Sequence, residues 1–398
     1  EEQIMVTTLG EISRESAKRF GDKTALIIED KSFSYKEIDA MACRVANGLK
    51  ASGVRPGDRV TLYSANCWEW AVSYHAIAKT GAVINPINVM LTSDEVKYVV
   101  EDSGTTAVLG SADKAESLLD LKGNNELKEV VLFGDTVPTG ATSFEEWLKS
   151  GTDTFEVAHR NREDLAAICY TSGTTGHPKG AMHSHHNIIA NAQGTAMMHV
   201  RTESDVMVNS LPLPHVYGSV VFNSGFMYGA KLVIVPRFEE EVVMSAIQQH
   251  RATILDGVPT AYYFLLAHPK FDDYDLSTLT RSTVGGQTLP AAKSIEWEER
   301  VGTAVLELWG MTELAGAATA NPYYGDNKPG TIGLVYPGNE GKIVSAEDPT
   351  LDLEIGDEGE FMFRGPLVML GYYGNDRATR DAMAAGGWMH TGDIATQD

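Results

Sequence analysis

A chain of 398 residues is long enough for two or three packed subdomains. Apolar residues make up 43% of it and charged residues 22%, which is typical of a globular protein. Acidic side chains outnumber basic ones by 54 to 32, giving a net charge of −22. This balance argues against nucleic acid or an anionic membrane as a partner, since both require a basic surface. An anionic substrate must therefore be held by local backbone dipoles and a metal.

Cysteine usage and hydropathy indicate a protein of the reducing cytoplasm. Cys43, Cys67 and Cys169 form no C-x-x-C pair, so neither a disulfide framework nor a zinc site is predicted. No signal peptide is visible at the first residues. The longest uncharged stretch, Val206–Ala230, contains Asn, Pro and His residues that are costly in lipid, so we interpret it as buried core and pocket wall. No transmembrane segment is predicted. The oligomeric state stays open, with a homodimer as one alternative.

Apolar periodicity predicts alternating strands and helices over most of the chain. Such alternation favours an α/β fold with parallel sheets flanked by helices. From about Asn321, Gly and Pro residues separate short alternating runs, which predicts a small antiparallel sheet or distorted barrel. In chain order, the predicted helices are Leu9–Phe20, Tyr35–Leu49, Trp68–Ala78, Ser93–Ser103, Asn187–Met198, Glu239–His250 and Ala291–Arg300, and the predicted strands are Thr24–Ile28, Arg59–Tyr63, Val83–Ile84, Ala107–Leu109, Val130–Phe133, Leu165–Tyr170, Gly180–Ser184, Val206–Ser210, Leu232–Val235, Thr253–Leu255 and Gly359–Arg364.

The stretch 170–180 reads YTSGTTGHPKG and carries the strongest chemical signal. Its glycines let successive N–H groups point into one concavity, which suits anionic oxygen. The Ser and Thr hydroxyls add hydrogen-bond donors, and Lys179 adds a mobile positive charge. It is not a Walker A loop, because Pro178 lies where the second glycine is needed. The stretch therefore predicts a loop that wraps a polyphosphate.

Three further stretches follow at long range: 285–290 (GGQTLP), 307–313 (ELWGMTE) and 388–393 (WMHTGD). Together with the phosphate loop, their order and spacing resemble the adenylate-forming superfamily, which includes acyl-CoA ligases, luciferases and peptide-synthetase adenylation domains. The segment Gly359–Tyr373 also resembles the family's barrel motif. The resemblance covers essentially the whole chain.

The resemblance implies a fold of two flavodoxin-like α/β subdomains plus a small distorted β-barrel. The first subdomain is expected at about residues 50–200, the second at 5–49 with 201–320, and the barrel at 321–398. In relatives a hinge and a small C-terminal domain follow the Thr-Gly-Asp motif and carry a lysine that contacts the α-phosphate. Because the given residues end at Asp398, we expect a large N-terminal domain that binds ATP and acid but transfers poorly to CoA.

The resemblance also implies roles for individual residues. ATP is expected to bind with Mg²⁺, the indole of Trp309 stacking on the purine, Thr312 donating to the α-phosphate and Asp393 accepting from both ribose hydroxyls. The metal ligands implied are Glu313 and Thr174. The nucleotide-binding residues implied are Thr171, Ser172, Gly173, Thr174, Thr175, Gly176, Lys179, Gly285, Gly286, Gln287, Trp309, Gly310, Met311, Thr312 and Asp393. The catalytic residues implied are Thr174, Lys179, His215 and Glu313.

The segment Leu211–Gly218 is expected to line the pocket for the substrate acid. In acyl- and aryl-CoA ligases the histidine matching His215 lies at the carboxylate end of that pocket. Peptide-synthetase relatives commonly carry an aspartate nearby, whereas this chain has Val216 and Tyr217, which argues against an amino-acid substrate. An apolar cavity for a fatty or aryl acid is therefore predicted. Its predicted walls are His215, Val216, Tyr217, Gly218, Val221, Phe222, Val258, Thr260, Val284 and Met311.

The predicted function is ATP-dependent activation of a carboxylic acid to an acyl-adenylate, followed by transfer to CoA. Two alternatives remain from the sequence: a freestanding adenylation protein that loads a carrier protein, and a non-catalytic nucleotide- or acyl-binding module. A metal site at His183, His185 and His186 is a further alternative, although a polar strand-to-helix junction is favoured there.

Overall fold

The computed structural model describes residues 6–122, 126–134, 136–171 and 177–398. In these ranges the chain forms two large sheets and one small sheet with helices packed on them. The strands are β1 Thr24–Ile28, β2 Lys31–Ser34, β3 Arg59–Tyr63, β4 Val83–Pro86, β5 Thr105–Ser111, β6 Glu129–Phe133, β7 Thr142–Ser143, β8 Leu165–Tyr170, β9 Gly180–Ser184, β10 Val206–Asn209, β11 Lys231–Ile234, β12 Ile254–Gly257, β13 Arg281–Val284, β14 Val305–Met311, β15 Gly316–Ala320, β16 Leu334–Val335, β17 Glu340–Val344, β18 Glu358–Arg364, β19 Gly371–Tyr372 and β20 Met389–Thr396. The helices are α1 Leu9–Phe20, α2 Tyr35–Ala51, α3 Trp68–Lys79, α4 Ser93–Asp102, α5 Ala115–Asp120, α6 Phe144–Ser150, α7 His185–Met198, α8 Val216–Met227, α9 Glu240–His250, α10 Pro259–Ala267, α11 Ala291–Val301 and α12 Asp376–Ala382.

The first large sheet has the strand order β19-β9-β8-β4-β3-β5-β6-β7. Strands β3 to β8 pair in parallel, whereas β8 and β9 form an antiparallel hairpin and β19 pairs antiparallel with β9. The second large sheet has the order β16-β15-β14-β13-β12-β10-β11-β1-β2, with parallel pairs from β1 to β14. The small sheet β17-β18-β20 is antiparallel.

One hydrophobic core contains residues of both large sheets and of the helices that connect their strands. Helix α3 is buried on nearly every side: Trp70 stacks on Tyr74, and the edge of Phe222 from α8 meets both rings. A helix buried all round has no polar face, so its sequence carries little 3.6-residue periodicity. For this reason helix α8, which lies in the uncharged stretch Val206–Ala230, was missing from the sequence-based prediction.

The observed architecture confirms the predicted fold class of mixed α/β sheets with a small antiparallel sheet. The first large sheet takes its strands from residues 59–184 and 371–372, and the second from 24–34 and 206–335. The subdomain boundaries near residues 50, 200 and 320 stay a prediction. Among the described residues, no helix combines the length and the apolar character that a membrane crossing requires.

Candidate active site

A cavity of about 280 Å³ opens where several parallel strands of the large sheets end. Open α/β sheets bind ligands in crevices at the carboxyl ends of their strands. Thr171 follows β8, His215 precedes α8, Gly286 follows β13, and the segment 310–313 spans the end of β14. The cavity is lined by Thr171, His215, Val216, Tyr217, Gly286, Leu308, Gly310, Met311, Thr312, Glu313, Gly316 and Ala317. Four stretches chosen from the sequence thus meet around one space.

The hairpin β8–β9 carries the predicted phosphate loop. The backbone N–H of Thr171 donates to the carbonyl oxygen of Lys179 over 2.9 Å, which closes the loop at its base. Lys179 places its ammonium group 4.5 Å from the ring centroid of Tyr372. The predicted residues Ser172, Gly173, Thr174, Thr175 and Gly176 lie outside the described residues, so their roles stay predictions.

Thr312 and Glu313, which directly follow β14, line the cavity. Glycine is required at position 310, because a Cβ there would overlap the main chain of Gly316 and Ala317. The Glu313 side chain is nearly buried and accepts a hydrogen bond of 2.6 Å at Oε1 from the Tyr372 hydroxyl. Burial and this carboxylate raise the pKa of Tyr372, so the phenol keeps its proton. Glu313 is thereby held at the cavity wall by a neutral donor.

Trp309 and Asp393 meet although 84 residues separate them. The indole Nε1–H of Trp309 donates to Oδ2 of Asp393 over 2.7 Å, and Phe361 packs edge-on against the indole. The turn after β13 needs glycine at two positions. Gly286 has φ of +89°, and a Cβ on Gly285 would overlap the side chain of Leu308. Gly286 and Gln287 are exposed at this turn, which leaves their backbone accessible to a ligand.

His215 precedes helix α8, and its Nδ1 accepts the backbone N–H of Tyr217 over 3.2 Å. The imidazole remains accessible to the cavity, yet the surrounding protein lowers its pKa by desolvation. The neutral imidazole of His215 is therefore favoured at neutral pH. Glycine is required at position 218, three residues after His215, because a Cβ there would overlap the carbonyl oxygen of Pro212.

A buried polar network supports the wall formed by Tyr217. The Tyr217 hydroxyl lies 2.9 Å from Oγ1 of Thr283, which donates to Oδ1 of Asp256 over 2.7 Å. Asp256 pairs with Arg201 at 2.5 Å, and both side chains are fully buried. Since the only Thr283 proton goes to a carboxylate, the phenol must donate its own proton to Thr283. The sequence does not predict this network, because residues 201, 217, 256 and 283 form no local motif.

The other predicted pocket residues lie in three different surroundings. Val221, Phe222 and Val284 are buried in the core. Val258 and Thr260 line a second cavity of about 320 Å³, which also contacts Pro212 and Pro214 on either side of Leu213. Met311 lines the first cavity together with His215.

The three histidines after the phosphate loop each contact protein. His183 Nε2 lies 2.7 Å from the carbonyl oxygen of Thr312, His185 Nδ1 accepts from Leu9 N, and His186 lies against Arg162. No group of three or more His, Cys, Asp or Glu side chains that could hold a metal occurs in the described ranges. Mg²⁺ commonly takes one or two carboxylates plus substrate phosphates. Glu313 at the cavity wall fits that donor set.

The sequence signature of the AMP-binding enzyme family matches residues 13–373. The chain therefore belongs to this family, which confirms the resemblance to adenylate-forming enzymes. It is 30% identical to a long-chain-fatty-acid–CoA ligase of Bacillus subtilis (strain 168), over 98% of this chain and 75% of that protein. It is 32% identical to 3-[(3aS,4S,7aS)-7a-methyl-1,5-dioxo-octahydro-1H-inden-4-yl]propanoyl:CoA ligase of Mycobacterium tuberculosis (strain ATCC 25618 / H37Rv), over 96% of this chain and 75% of that protein.

Solved structures agree with this assignment. The anthranilate CoA ligase AuaEII in complex with anthranoyl-AMP superposes with a TM-score of 0.92 at 29% identity, covering 98% of this chain and 76% of the other. ATP-bound MatB from Rhodopseudomonas palustris superposes with a TM-score of 0.91 at 31% identity, covering 99% and 77%. The fold is therefore that of adenylate-forming enzymes.

Proposed function

We propose that this protein activates a carboxylic acid with ATP, forming an acyl-adenylate and pyrophosphate, and then transfers the acyl group to the thiol of CoA with release of AMP. The observation that carries the proposal is the single cavity shared by Thr171, His215, Gly286 and Glu313. A phosphate loop, an acid pocket, an adenine turn and a carboxylate for a metal are the parts that such a reaction needs.

The first step brings together two anions, a carboxylate and the α-phosphate of ATP. Two unit charges 4 Å apart repel by about 4 kcal/mol at an effective dielectric constant near 20. The protein offsets this repulsion with the amide groups of the loop, the Lys179 ammonium and Thr312. Mg²⁺ held by Glu313 supplies further electrostatic stabilisation of the phosphates when it is bound. Catalysis then consists of positioning and charge stabilisation, without a protein nucleophile.

Asp393 and Trp309 position the nucleoside in this scheme. The Asp393 carboxylate engages Trp309 through Oδ2, so Oδ1 and the remaining lone pairs can accept from ribose hydroxyls. The exposed backbone of the turn at Gly286 is suited to lie along the purine. In this scheme these contacts fix the nucleoside, so that the α-phosphate can meet the substrate acid in the cavity.

The substrate acid is expected to meet a neutral imidazole and an apolar wall. Because its lowered pKa favours the neutral imidazole, His215 can donate one hydrogen bond to the acid without forming an ion pair with it. Relatives of this chain include a long-chain-fatty-acid–CoA ligase, a feruloyl-CoA synthase and a CoA ligase for a propanoyl group on a fused ring system. We therefore place the substrate among acids with an apolar fatty or aryl body.

Acid-dependent exchange of labelled pyrophosphate into ATP tests the first half-reaction. We expect exchange with a suitable fatty or aryl acid and none without acid. Substituting Glu313→Gln should lower the exchange rate by about 10²- to 10³-fold, because one preorganised charge at the phosphates is lost. A chain that only binds nucleotide would show no exchange with any acid of the panel. That result would show that the proposal is wrong.

The matched control is Glu299→Gln, which changes an exposed glutamate on α11. Its exchange rate should equal that of the unchanged protein. Offering CoA and a holo-carrier protein in parallel then identifies the acceptor thiol. Acyl transfer to the carrier protein alone would contradict CoA as the acceptor.

A further inference from the structure

Tyr372 connects two parts of the site that lie far apart in the sequence. Its strand β19 pairs with β9 directly after the phosphate loop, with Tyr372 opposite Ala181. The neighbouring Tyr373 donates its backbone N–H to Gly180 O over 2.8 Å. On the other side, the backbone N–H of Met369 donates to the carbonyl oxygen of Glu313 over 2.9 Å. The segment 369–373 thus holds the main chain of both catalytic stretches.

The Tyr372 side chain also contacts both stretches. Its hydroxyl donates to Glu313 Oε1 over 2.6 Å, and its ring centroid lies 4.5 Å from Lys179 Nζ. The phenol is itself nearly buried, with 6% of its surface exposed. One tyrosine therefore contacts the carboxylate through its hydroxyl and the ammonium group through its ring.

The hydrogen-bond partner of Glu313 is the neutral hydroxyl of Tyr372, which does not compensate the negative charge of the carboxylate. In the part of the chain that the structure describes, no lysine or arginine forms an ion pair with Glu313. A nearly buried carboxylate without a cation is costly unless it is hydrogen-bonded or binds a metal. Oε1 is engaged by the phenol, whereas Oε2 forms no hydrogen bond to another residue in the described ranges. Oε2 can therefore serve as a ligand for a cation such as Mg²⁺ in the cavity.

We infer that Tyr372 is a positioning residue for the magnesium–ATP complex: its hydroxyl orients Glu313 toward the metal, and its ring holds Lys179 beside the phosphates. This inference rests on the proposed function. Hydrogen-bond partners of metal-binding carboxylates typically contribute about 10- to 100-fold to metal affinity or activity. A lysine over an aromatic face gains a smaller, separate stabilisation.

Equilibrium binding of ATP, without acid and without turnover, separates the two roles. In Tyr372→Phe the ring stays and the hydroxyl is lost. We expect ATP affinity in Mg²⁺ to fall about 10- to 100-fold. Affinity in EDTA should stay within about 2-fold, because Lys179 keeps its aromatic neighbour. The ratio of the two affinities is measured on one preparation, so a partial loss of folded protein does not change it.

Tyr372→Leu removes both groups. This variant should lose the same Mg²⁺-dependent affinity and, in EDTA, a further factor of about 2 to 5, since the lysine is no longer held. The matched control is Tyr324→Phe, the same change at an exposed tyrosine outside the segment 369–373, which should bind ATP like the unchanged protein under both conditions.

Two outcomes would overturn the inference. One is an unchanged ratio in Tyr372→Phe, and the other is an equal loss with and without Mg²⁺, which indicates a merely structural role. Both outcomes count against the inference when the unchanged protein binds ATP in a Mg²⁺-dependent way and exchanges pyrophosphate. If the unchanged protein does neither, it is the proposed function that is wrong.

Discussion

At the scale of single residues, the hydrogen bond between Trp309 and Asp393 leads to a test of nucleoside recognition. Its length is 2.7 Å, and within the described part of the chain the other Asp393 oxygen accepts no hydrogen bond. A carboxylate accepts from both ribose hydroxyls, whereas an amide offers only one acceptor oxygen. In Asp393→Asn we therefore expect ATP affinity to fall about 10-fold. Binding of 2′,3′-dideoxy-ATP should change much less, because it has no ribose hydroxyls to lose.

Competition titrations with the two nucleotides measure this preference. Asp381→Asn, a change in an exposed aspartate of α12, serves as the control and should keep the preference of the unchanged protein. An unaltered preference in Asp393→Asn would show that the ribose is bound elsewhere.

Residue identity predicts some of these contacts and not others. Glu313 and Asp393 could be chosen from the sequence because each lies in a recognisable motif. Tyr372 was included only as part of the quoted stretch Gly359–Tyr373, because its partners Glu313 and Lys179 lie 59 and 193 positions away. The ion pair of Arg201 and Asp256 had no local signal at all. Long-range pairs depend on the packing of elements, which a single sequence does not specify.

At the scale of secondary-structure elements, the β14–β15 hairpin positions the segment from Trp309 to Glu313. The register shifts between Trp309 and Gly310, where the two strands approach so closely that any side chain overlaps the facing main chain. We expect Gly310→Ala to lower the free energy of unfolding by more than about 2 kcal/mol and to abolish ATP binding. Urea unfolding and ATP titration measure the two effects.

Gly302→Ala is the matched control for this change. Gly302 ends helix α11 with φ of +85°, and a Cβ at this position would have no neighbouring atom within 4 Å. Its cost should be about 1 kcal/mol, from the left-handed backbone alone, with ATP affinity unchanged. If Gly310→Ala proved as mild as Gly302→Ala, the close approach of β14 and β15 would not be essential.

Elements were predicted best where they have a polar and an apolar face. Helices α1, α2 and α11 were expected within about two residues of their observed ends, because their apolar residues recur at helical spacing. Helix α8 was missed, since it is buried on nearly every side and its sequence shows no separate polar face. Strand β19 was missed because two residues are too few to show alternation.

At the scale of the whole molecule, buried histidines make stability depend on pH. Burial lowers the pKa of His75 to about 3 and the pKa of His183 and His185 to about 4. In the unfolded chain a histidine has a pKa of about 6.5. Between these values the unfolded state binds more protons, so acid favours unfolding. Stability should therefore fall as the pH decreases below about 6.5.

Urea unfolding at a series of pH values tests this with His75→Leu. His75 is fully buried, and neither ring nitrogen has a hydrogen-bond partner among the described residues. Removing it should reduce the slope of unfolding free energy against pH by about 1.4 kcal/mol per pH unit between about pH 6 and pH 4. His159→Leu, at an exposed position, should leave the slope unchanged. Equal slopes for His75→Leu and the unchanged protein would contradict a neutral buried imidazole.

The sequence by itself determined the family and the α/β class, and it singled out the four stretches predicted to carry polyphosphate, adenine, ribose and metal chemistry. It could do so because glycine turns, hydroxyl-rich loops and isolated carboxylates are local chemical signals. Only the tertiary structure decided that Thr171, His215, Gly286 and Glu313 face one cavity, and that Tyr372 joins Glu313 to Lys179. These relations arise from strand order and strand pairing, which bring distant residues together through non-local contacts.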